Sequence, residues 1–180
     1  MRWLVTIIFI AVTTACSPAL VRDPSSPFYT ITVGSVLQLN QPVEFAPQQV
    51  SVFMQHGRLL AEALLDRYQP YCKLELYPMS EAARRVAPDS FVIEKVVDET
   101  ELTTQSPADP AAGLLASLML VSDTPSIYTY ATHLYLHSDI QPEVYRLSCM
   151  HWEDVQDDNY LTVAQIREAM GDLFTLELAQ

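Results

Sequence analysis

The chain has 180 residues, and its 22 aspartates and glutamates outnumber its 10 lysines and arginines, for a formal net charge of −12. This acidity argues against nucleic-acid binding and against a basic patch that docks on anionic lipid. It allows a basic partner or a salty habitat, although acidity also simply keeps a small domain soluble. The length suffices for one domain with its own core.

The first residues are organised like a bacterial export signal. Met1-Arg2 supplies one positive charge, residues 3–12 are almost wholly apolar, and the small residues Thr13-Thr14-Ala15 precede Cys16. The apolar run is too short to cross a bilayer, which takes roughly 20 residues, but it suits a signal peptide.

Residues 13–17 resemble the lipobox of bacterial lipoproteins, in which the cysteine carries a diacylglycerol and becomes the first residue after cleavage. Thr13 departs from the pattern, because Leu is usual there. The resemblance implies a signal peptide at 1–15 and lipidation of Cys16. Since Ser17 rather than Asp follows, it also implies sorting to the outer membrane, on its periplasmic side. The alternatives are an ordinary secretory signal with a chance cysteine and an uncleaved membrane anchor.

The cleaved chain would have 165 residues and, after the loss of Arg2, a net charge of −13. Residues 16–29 hold three prolines and three serines and predict a lipidated, extended tether. Residues 30–180 are then a single β-rich domain.

Two cysteines, Cys72 and Cys149, remain after lipidation, in a compartment that oxidises thiols. We predict that they form a disulfide, which closes a loop of about 78 residues and contributes at most roughly 4–5 kcal/mol. Two free thiols or a thiol pair in a metal site are the alternatives. No CxxC motif supports redox catalysis or a zinc ribbon.

Short runs of alternating or β-branched residues predict most of the regular structure. Residues 31–33 look extended, and strands are predicted over 35–38, 43–45, 49–55, 71–77, 90–97, 114–121, 127–137, 144–150 and 173–178. In the strand at 71–77, alternation predicts that Cys72, Leu74 and Leu76 share the buried face and that Lys73 and Glu75 lie outside. Residues 59–68 fit a short helix or an irregular crossover, with the crossover slightly favoured. Residues 98–112 form the longest polar stretch and predict a mobile loop.

One helix is predicted near the C-terminus, over residues 163–170. Thr162 and Gln165 have the spacing of a capping box, and Leu161 and Ile166 that of a hydrophobic staple. Gly171 ends the helix. Together these elements predict an antiparallel β-sandwich or barrel with one short C-terminal helix.

Catalytic motifs are missing from the sequence. Its four glycines are too far apart to cradle a phosphate, and there is no G-x-S-x-G elbow. Among the four histidines, His133 and His137 have helical metal-site spacing. Since they fall in a predicted strand, about 13 Å would separate them, too far for one ion. Structural histidines are the preferred interpretation; His56 and His151 are the other two.

Two further clusters invite a binding interpretation. The acidic residues Glu153, Asp154, Asp157 and Asp158 lack the pattern of a calcium loop, so a solvated acidic turn before the helix is preferred. The tyrosines either line a groove for a peptide, glycan or protein, or are half-buried sheet residues, which is preferred: Tyr68, Tyr71, Tyr77, Tyr128, Tyr130 and Tyr135.

The segment from Asp66 to Cys72 resembles a Tyr-x-Pro-aromatic-Cys stretch of uncharacterised proteobacterial lipoproteins, which implies no activity. We therefore expect a non-enzymatic interaction or accessory module of the cell envelope, without a cofactor and with no catalytic residue that can be named. A carrier of a small apolar ligand is the second hypothesis. A hydrolase of envelope polymers is the third.

Overall fold

Antiparallel strands dominate the computed structural model, which describes residues 23–26, 28–103, 127–154 and 159–179. The strands there are β1 (Val36–Leu39), β2 (Val43–Phe45), β3 (Ser51–Gln55), β4 (Arg58–Leu60), β5 (Tyr71–Leu76), β6 (Arg84–Val86), β7 (Asp89–Thr103), β8 (Ile127–His137), β9 (Val144–Asp154) and β10 (Phe174–Glu177). They are joined by one α-helix, α1 (Val163–Met170), and two 3₁₀ turns, Glu62–Leu64 and Gly171–Leu173. The prediction of a mainly β fold with one short C-terminal helix is confirmed.

Eight of these strands form one antiparallel sheet that curls into a half-barrel. The strand order is β10-β1-β7-β8-β9-β5-β3-β4, and β2 pairs with β6 in a separate two-stranded sheet. The helix α1 packs against β3, β5 and β10, and its apolar residues join the hydrophobic core. We call the sheet face turned toward this core the inner face, and the opposite one the outer face.

The inner face is apolar because alternate residues of adjacent strands lie side by side in register. Leu74, Leu147 and Leu134 form one row across β5, β9 and β8, and all three are fully buried. In the next row Cys72 lies directly opposite Cys149, with their Cα atoms 4.0 Å apart and their sulfurs bonded at 2.10 Å. The disulfide therefore joins two neighbouring strands of the sheet from its core side.

Strands β7 and β9 are longer than their apolar residues predict. Residues 98–103, for which the sequence predicts a mobile loop, pair with residues 127–132 of β8. That prediction is wrong because the neighbouring strand satisfies the backbone hydrogen bonds of these polar residues. Residues 104–112 of that loop and the predicted strand at 114–121 lie outside the described residues.

The predicted acidic turn is also wrong in part. Glu153 and Asp154 belong to the end of β9, where they pair with Tyr128 and Ile127 of β8. The same pairing therefore keeps the backbone extended through acidic residues. Asp157 and Asp158 lie outside the described residues.

The helix α1 begins with the predicted capping box. The hydroxyl of Thr162 accepts a hydrogen bond from the backbone N–H of Gln165 at 3.3 Å, and the Gln165 side chain accepts one from the Thr162 N–H at 2.9 Å. Leu161 and Ile166, the predicted staple pair, are both buried. The helix ends at Gly171, whose φ of 52° favours glycine.

Residues 59–68 agree with the crossover interpretation. The turn His56-Gly57 joins β3 to β4 with φ of 50° and 70°, as a two-residue type I′ hairpin requires. The chain then passes through the 3₁₀ turn Glu62–Leu64. The buried side chain of Gln55 fixes this crossover, since it donates to the Asp66 carbonyl at 2.7 Å and accepts from the Asp66 N–H at 3.1 Å.

The described part of the predicted tether folds into turns. Backbone N–H groups of Ser26 and Tyr29 donate to the carbonyls of Asp23 and Ser26 at 3.0 and 3.1 Å, and Tyr29 packs against the core. Residues 31–33, predicted to be extended, belong to no strand, and β1 begins only at Val36. Cys16 and the signal segment at 1–15 lie outside the described residues.

Candidate functional site

The four histidines are scattered. His133 and His137 lie on a strand, β8, as predicted, and His137 is exposed near Asp139 and Glu94, at 3.3 and 4.0 Å. His56 lies 3.4 Å from Glu168, and the buried His151 contacts the carbonyl of Asn159 at 2.9 Å. Within the described ranges no three His, Cys, Asp or Glu side chains converge to hold a metal ion.

The tyrosines separate by face. Tyr71 and Tyr130 are buried, Tyr128 and Tyr135 are half-buried, and Tyr68 and Tyr77 are exposed. On the inner face, the ring of Tyr130 meets those of Tyr128 and Tyr160. On the outer face, Tyr145 contacts Tyr77 and Tyr135. Of these two groups, only the outer-face one includes strongly exposed rings, those of Tyr77 and Tyr145.

The outer face carries two polar rows that the strand register creates. One row runs Glu75, Arg146, Tyr135 and Lys95 across β5, β9, β8 and β7. The adjacent row runs Lys73, Ser148 and His133 across β5, β9 and β8. Residues from four strands and distant parts of the chain thereby become neighbours.

Glu75 is the centre of the polar rows. Its carboxylate accepts hydrogen bonds from the Arg146 guanidinium and, at 3.0 Å, from the Ser148 hydroxyl, and it pairs with the Lys73 ammonium at 3.0 Å. Burial raises the pKa of Glu75, but the hydrogen bonds from Arg146 and Lys73 outweigh it and leave the pKa below its ordinary value. Glu75 is therefore a charged anchor for two cations.

His133 extends the network. Its Nδ1 lies 2.8 Å from the Ser148 hydroxyl and its Nε2 lies 3.2 Å from the Glu99 carboxylate. Ser148 has one proton for two acceptors, so when it donates to Glu75, His133 must donate to it through Nδ1. Burial, aided by the charge of Arg146, lowers the pKa of His133 although Glu99 opposes the shift. The ring is therefore largely neutral at pH 7. With its one proton on Nδ1, the neutral ring has no proton on Nε2 to donate to Glu99.

Ser148, His133 and Glu99 are linked in the order of a hydrolase triad, but a substrate cannot reach Ser148 or His133. Ser148 is fully buried and His133 is 7% exposed. A serine nucleophile must reach the substrate carbonyl, and its base must take the proton that Ser148 is placed to give to Glu75. The geometry instead suits a buried network that holds β5, β8 and β9 in register.

Aromatic rings and cations cover one end of the outer face. The Arg146 guanidinium lies 5.8 and 5.5 Å from the ring centres of Tyr135 and Tyr145, and the Lys95 ammonium lies 5.0 Å from that of Tyr135. Tyr145 and Tyr77 continue the surface outward, with exposures of 44% and 72%. We call Tyr77, Tyr135, Tyr145, Lys95 and Arg146 the tyrosine patch.

The inner face opens into a pocket of about 210 Å³ beside the start of α1. Its apolar floor is formed by Ile31, Leu161, Val163 and Ile166, all buried. Around it lie Phe28, Tyr29, Thr30, Asp98, Thr132 and Tyr160. The Thr132 hydroxyl donates to the Asp98 carboxylate at 2.7 Å, and the hydroxyls of Tyr160 and Thr100 are hydrogen-bonded at 2.8 Å. The pocket thus combines an apolar floor with polar groups around it, among them the Asp98 carboxylate at its edge.

Sequence reasoning named neither the polar rows nor this pocket. Alternation placed Lys73 and Glu75 on the face opposite Cys72, and that signal alone predicted an outer polar surface. Two partners of Glu75, Arg146 and Ser148, come from β9, about 70 residues away along the chain. A single sequence gives no register between such strands, so it could not assemble the site.

Comparison with known proteins adds no assignment to these sites. No protein-family model, no curated protein and no solved structure matches the chain. In the described ranges, none of the helices has both the length and the apolar composition needed to cross a membrane. Any functional inference therefore rests on the side chains of the chain itself.

Proposed function

We propose that this chain is a lipid-anchored, non-enzymatic interaction module of the cell envelope, held on the periplasmic side of the outer membrane through Cys16. The tyrosine patch is its binding surface for a protein partner. The lipobox-like residues 13–17 support the anchor, and the exposed rings of the patch support the binding role.

The observation that carries the proposal is the exposure of Tyr77 and Tyr145 above a fixed base. Tyrosine and arginine are enriched in the centres of protein interfaces, where rigid rings bury much area at small entropic cost. Tyr135 and Arg146 hold the ring of Tyr145 from below, through an edge contact at 5.4 Å and a cation–π contact. The patch is therefore partly preorganised for binding.

The charge of the patch indicates the chemistry of the partner. Arg146 is paired with Glu75, whereas Lys95 forms no ion pair with any described residue. A partner segment that places an apolar side chain on the tyrosine rings and a carboxylate near Lys95 complements both features. The high negative charge of the rest of the chain would repel other acidic surfaces and so restrict where such a partner docks.

The carrier hypothesis has one observation in its favour, the inner pocket. At about 210 Å³ it is smaller than the roughly 300–1,000 Å³ of ordinary small-molecule sites. The half-barrel is also filled by side chains of α1 and the core. A long acyl chain therefore does not fit, so only a ligand smaller than usual could occupy the pocket, and the interaction module is the better-supported function.

The test is site-specific photo-crosslinking in cells with the tagged full-length chain. Benzoylphenylalanine replaces Tyr77 in one strain and Tyr68 in another, because Tyr68 is also an exposed tyrosine (53%) but lies away from the patch, against Trp152. We expect a discrete protein adduct from position 77 only. Lys95→Glu should weaken that adduct, and Cys16→Ala should remove it together with membrane attachment.

The proposal is wrong if positions 77 and 68 give the same adducts, because the patch is then not a specific surface. It is equally wrong if Lys95→Glu leaves the position-77 adduct unchanged, since the partner then presents no carboxylate there. Retention in the membrane fraction of the Cys16→Ala chain would overturn the lipid anchor separately from the binding surface.

A further inference from the structure

The inner pocket has features of a site for a small positively charged molecule. Asp98 lies on its edge, and its carboxylate forms no ion pair among the residues that the structure describes. None of the residues that line the pocket is Lys, Arg or His. The charge of Asp98 is thus available to a ligand.

Three aromatic residues line the same pocket as this carboxylate. Phe28, Tyr29 and Tyr160 line the pocket, and a hydrogen bond between the hydroxyls of Tyr160 and Thr100 holds the Tyr160 ring beside β7. The faces of aromatic rings attract organic cations, and rings grouped around a carboxylate are a recurring way to bind an ammonium group. The rings and the carboxylate therefore favour the same class of ligand.

Asp98 is held in place by the strand register. Thr132 lies directly opposite it on β8, is buried, and donates to one carboxylate oxygen at 2.7 Å. The disulfide residue Cys149 lies opposite Thr132 in the same row, on β9. Through Thr132 the carboxylate is accordingly attached to the row of the sheet that carries the disulfide, which restricts its position before a ligand binds.

The size and floor of the pocket limit the ligand. A cavity of about 150 Å³ lined by apolar side chains holds benzene, so about 210 Å³ accommodates a ring with a short charged arm. The buried side chains of Ile31, Leu161, Val163 and Ile166 offer an apolar floor to that ring. The first turn of α1 contributes apolar side chains to this floor, and the Thr162 hydroxyl accepts a hydrogen bond from the Gln165 backbone N–H.

We propose that this pocket binds a small organic ammonium ion, whose charge pairs with Asp98 and whose apolar part lies on the floor among Phe28, Tyr29 and Tyr160. This site is separate from the tyrosine patch, on the other face of the sheet. It gives the chain a small-ligand function in addition to protein binding.

The experiment uses benzylammonium as probe and benzyl alcohol as its neutral counterpart of similar size. Binding to the purified full-length protein is followed by NMR and by calorimetry. We expect benzylammonium to bind with a Kd in the millimolar range or below and to shift resonances of Phe28, Tyr29 and Tyr160. Benzyl alcohol should bind at least about tenfold more weakly, which corresponds to about 1.4 kcal/mol.

Asp98→Asn should weaken benzylammonium binding about tenfold or more and leave benzyl alcohol unaffected. Glu101→Gln is the matched control, since it removes the same charge from the same strand at a residue outside the pocket. Phe28→Ala should lower the affinity several-fold with little risk to folding, because Phe28 is 74% exposed.

Three results would overturn the proposal. One is equal affinity for both probes, which makes the pocket merely apolar. Another is an equal loss in Asp98→Asn and Glu101→Gln, which indicates general charge attraction. The third is no saturable binding by the folded protein when benzylammonium is raised to about 10 mM, above the expected Kd. None of these results bears on the photo-crosslinks from position 77, so this proposal and the protein-binding proposal fail independently.

Discussion

The two faces of the central strands are both shielded from water, but by different means. On the inner face, Leu134 and Leu147 are fully buried in the hydrophobic core. One residue away on the same strands, His133 and Ser148 are buried on the outer face among charged and aromatic side chains. The inner face gains stability from burial of apolar area. The outer face must recover the cost of desolvating its polar groups through hydrogen bonds.

The comparison assigns different roles to the two faces. Hydrophobic burial and the disulfide on the inner face should provide most of the free energy of folding. The network around Glu75 should contribute less net stability, but it fixes Arg146 and Tyr135 and through them the tyrosine patch. Mutations on the outer face should consequently disturb binding more than folding.

The largest effect should come from the inner-face disulfide. Reduction of Cys72–Cys149, which are 77 positions apart, frees a long loop in the unfolded chain. We expect the free energy of unfolding to fall by up to about 4–5 kcal/mol. Urea unfolding of oxidised and reduced protein measures the loss. Equal midpoints would show that the sheet pairing alone constrains this loop.

Two single substitutions compare the faces directly. Leu134→Ala leaves a cavity in the core and should cost about 2–5 kcal/mol. Ser148→Ala, at an equally buried position on the outer face, should cost only about 1–2 kcal/mol, since it removes hydrogen bonds rather than packing. The same unfolding measurement applies to both variants. A Ser148→Ala loss as large as that of Leu134→Ala would contradict the proposed division.

A double-mutant cycle tests the ion pair of Glu75 and Arg146. Glu75→Gln should cost about 1–3 kcal/mol, because it leaves Arg146 and Lys73 without their carboxylate. In the double variant with Arg146→Met, the loss should be smaller than the sum of the single losses, since only Lys73 is then left without its carboxylate. Additive losses would mean that the two groups do not interact. Arg146→Met should also weaken the position-77 crosslink, because Tyr145 loses its support.

The smallest effect should be a dependence of stability on pH that originates at His133. Its pKa is lowered in the folded state from 6.5, so below pH 6.5 the unfolded chain binds more protons. The contribution of the neutral ring is therefore complete above pH 6.5 and is lost as the pH falls through the folded-state pKa. The lowered pKa of Glu75 adds a similar loss below its ordinary value of 4.5.

Urea unfolding at pH 7.5 and 5.5 checks this sign. His133→Asn should flatten the dependence between these pH values, and His137→Asn is the control, an exposed histidine on the same strand. Stability that rises on acidification would reverse the assignment. It would mean that the hydrogen bond gained when Nε2 of His133 is protonated toward Glu99 stabilises the fold more than burial of the charged ring destabilises it.

The sequence by itself determined those features that depend on local pattern or on counting. With Cys16 set aside as the expected lipidation site, the cysteine count left one pair, Cys72 and Cys149. The spacing of Thr162 and Gln165 predicted the helix start, and alternation from Tyr71 onward predicted which side chains face the core. Each of these follows from residues a few positions apart or from composition, and so requires no knowledge of the fold.

Only the tertiary structure decided the rest, because pairing between distant strands is set by the whole sheet. It extended β7 through polar residues 98–103, since β8 satisfies their backbone hydrogen bonds. It brought Glu75 beside Arg146 and Ser148 beside His133, and it placed Asp98 at the edge of a pocket with an apolar floor. A shift of one residue between β5 and β9 would turn Glu75 away from Arg146, and one between β7 and β8 would turn Asp98 away from Thr132, so each candidate site depends on its own register.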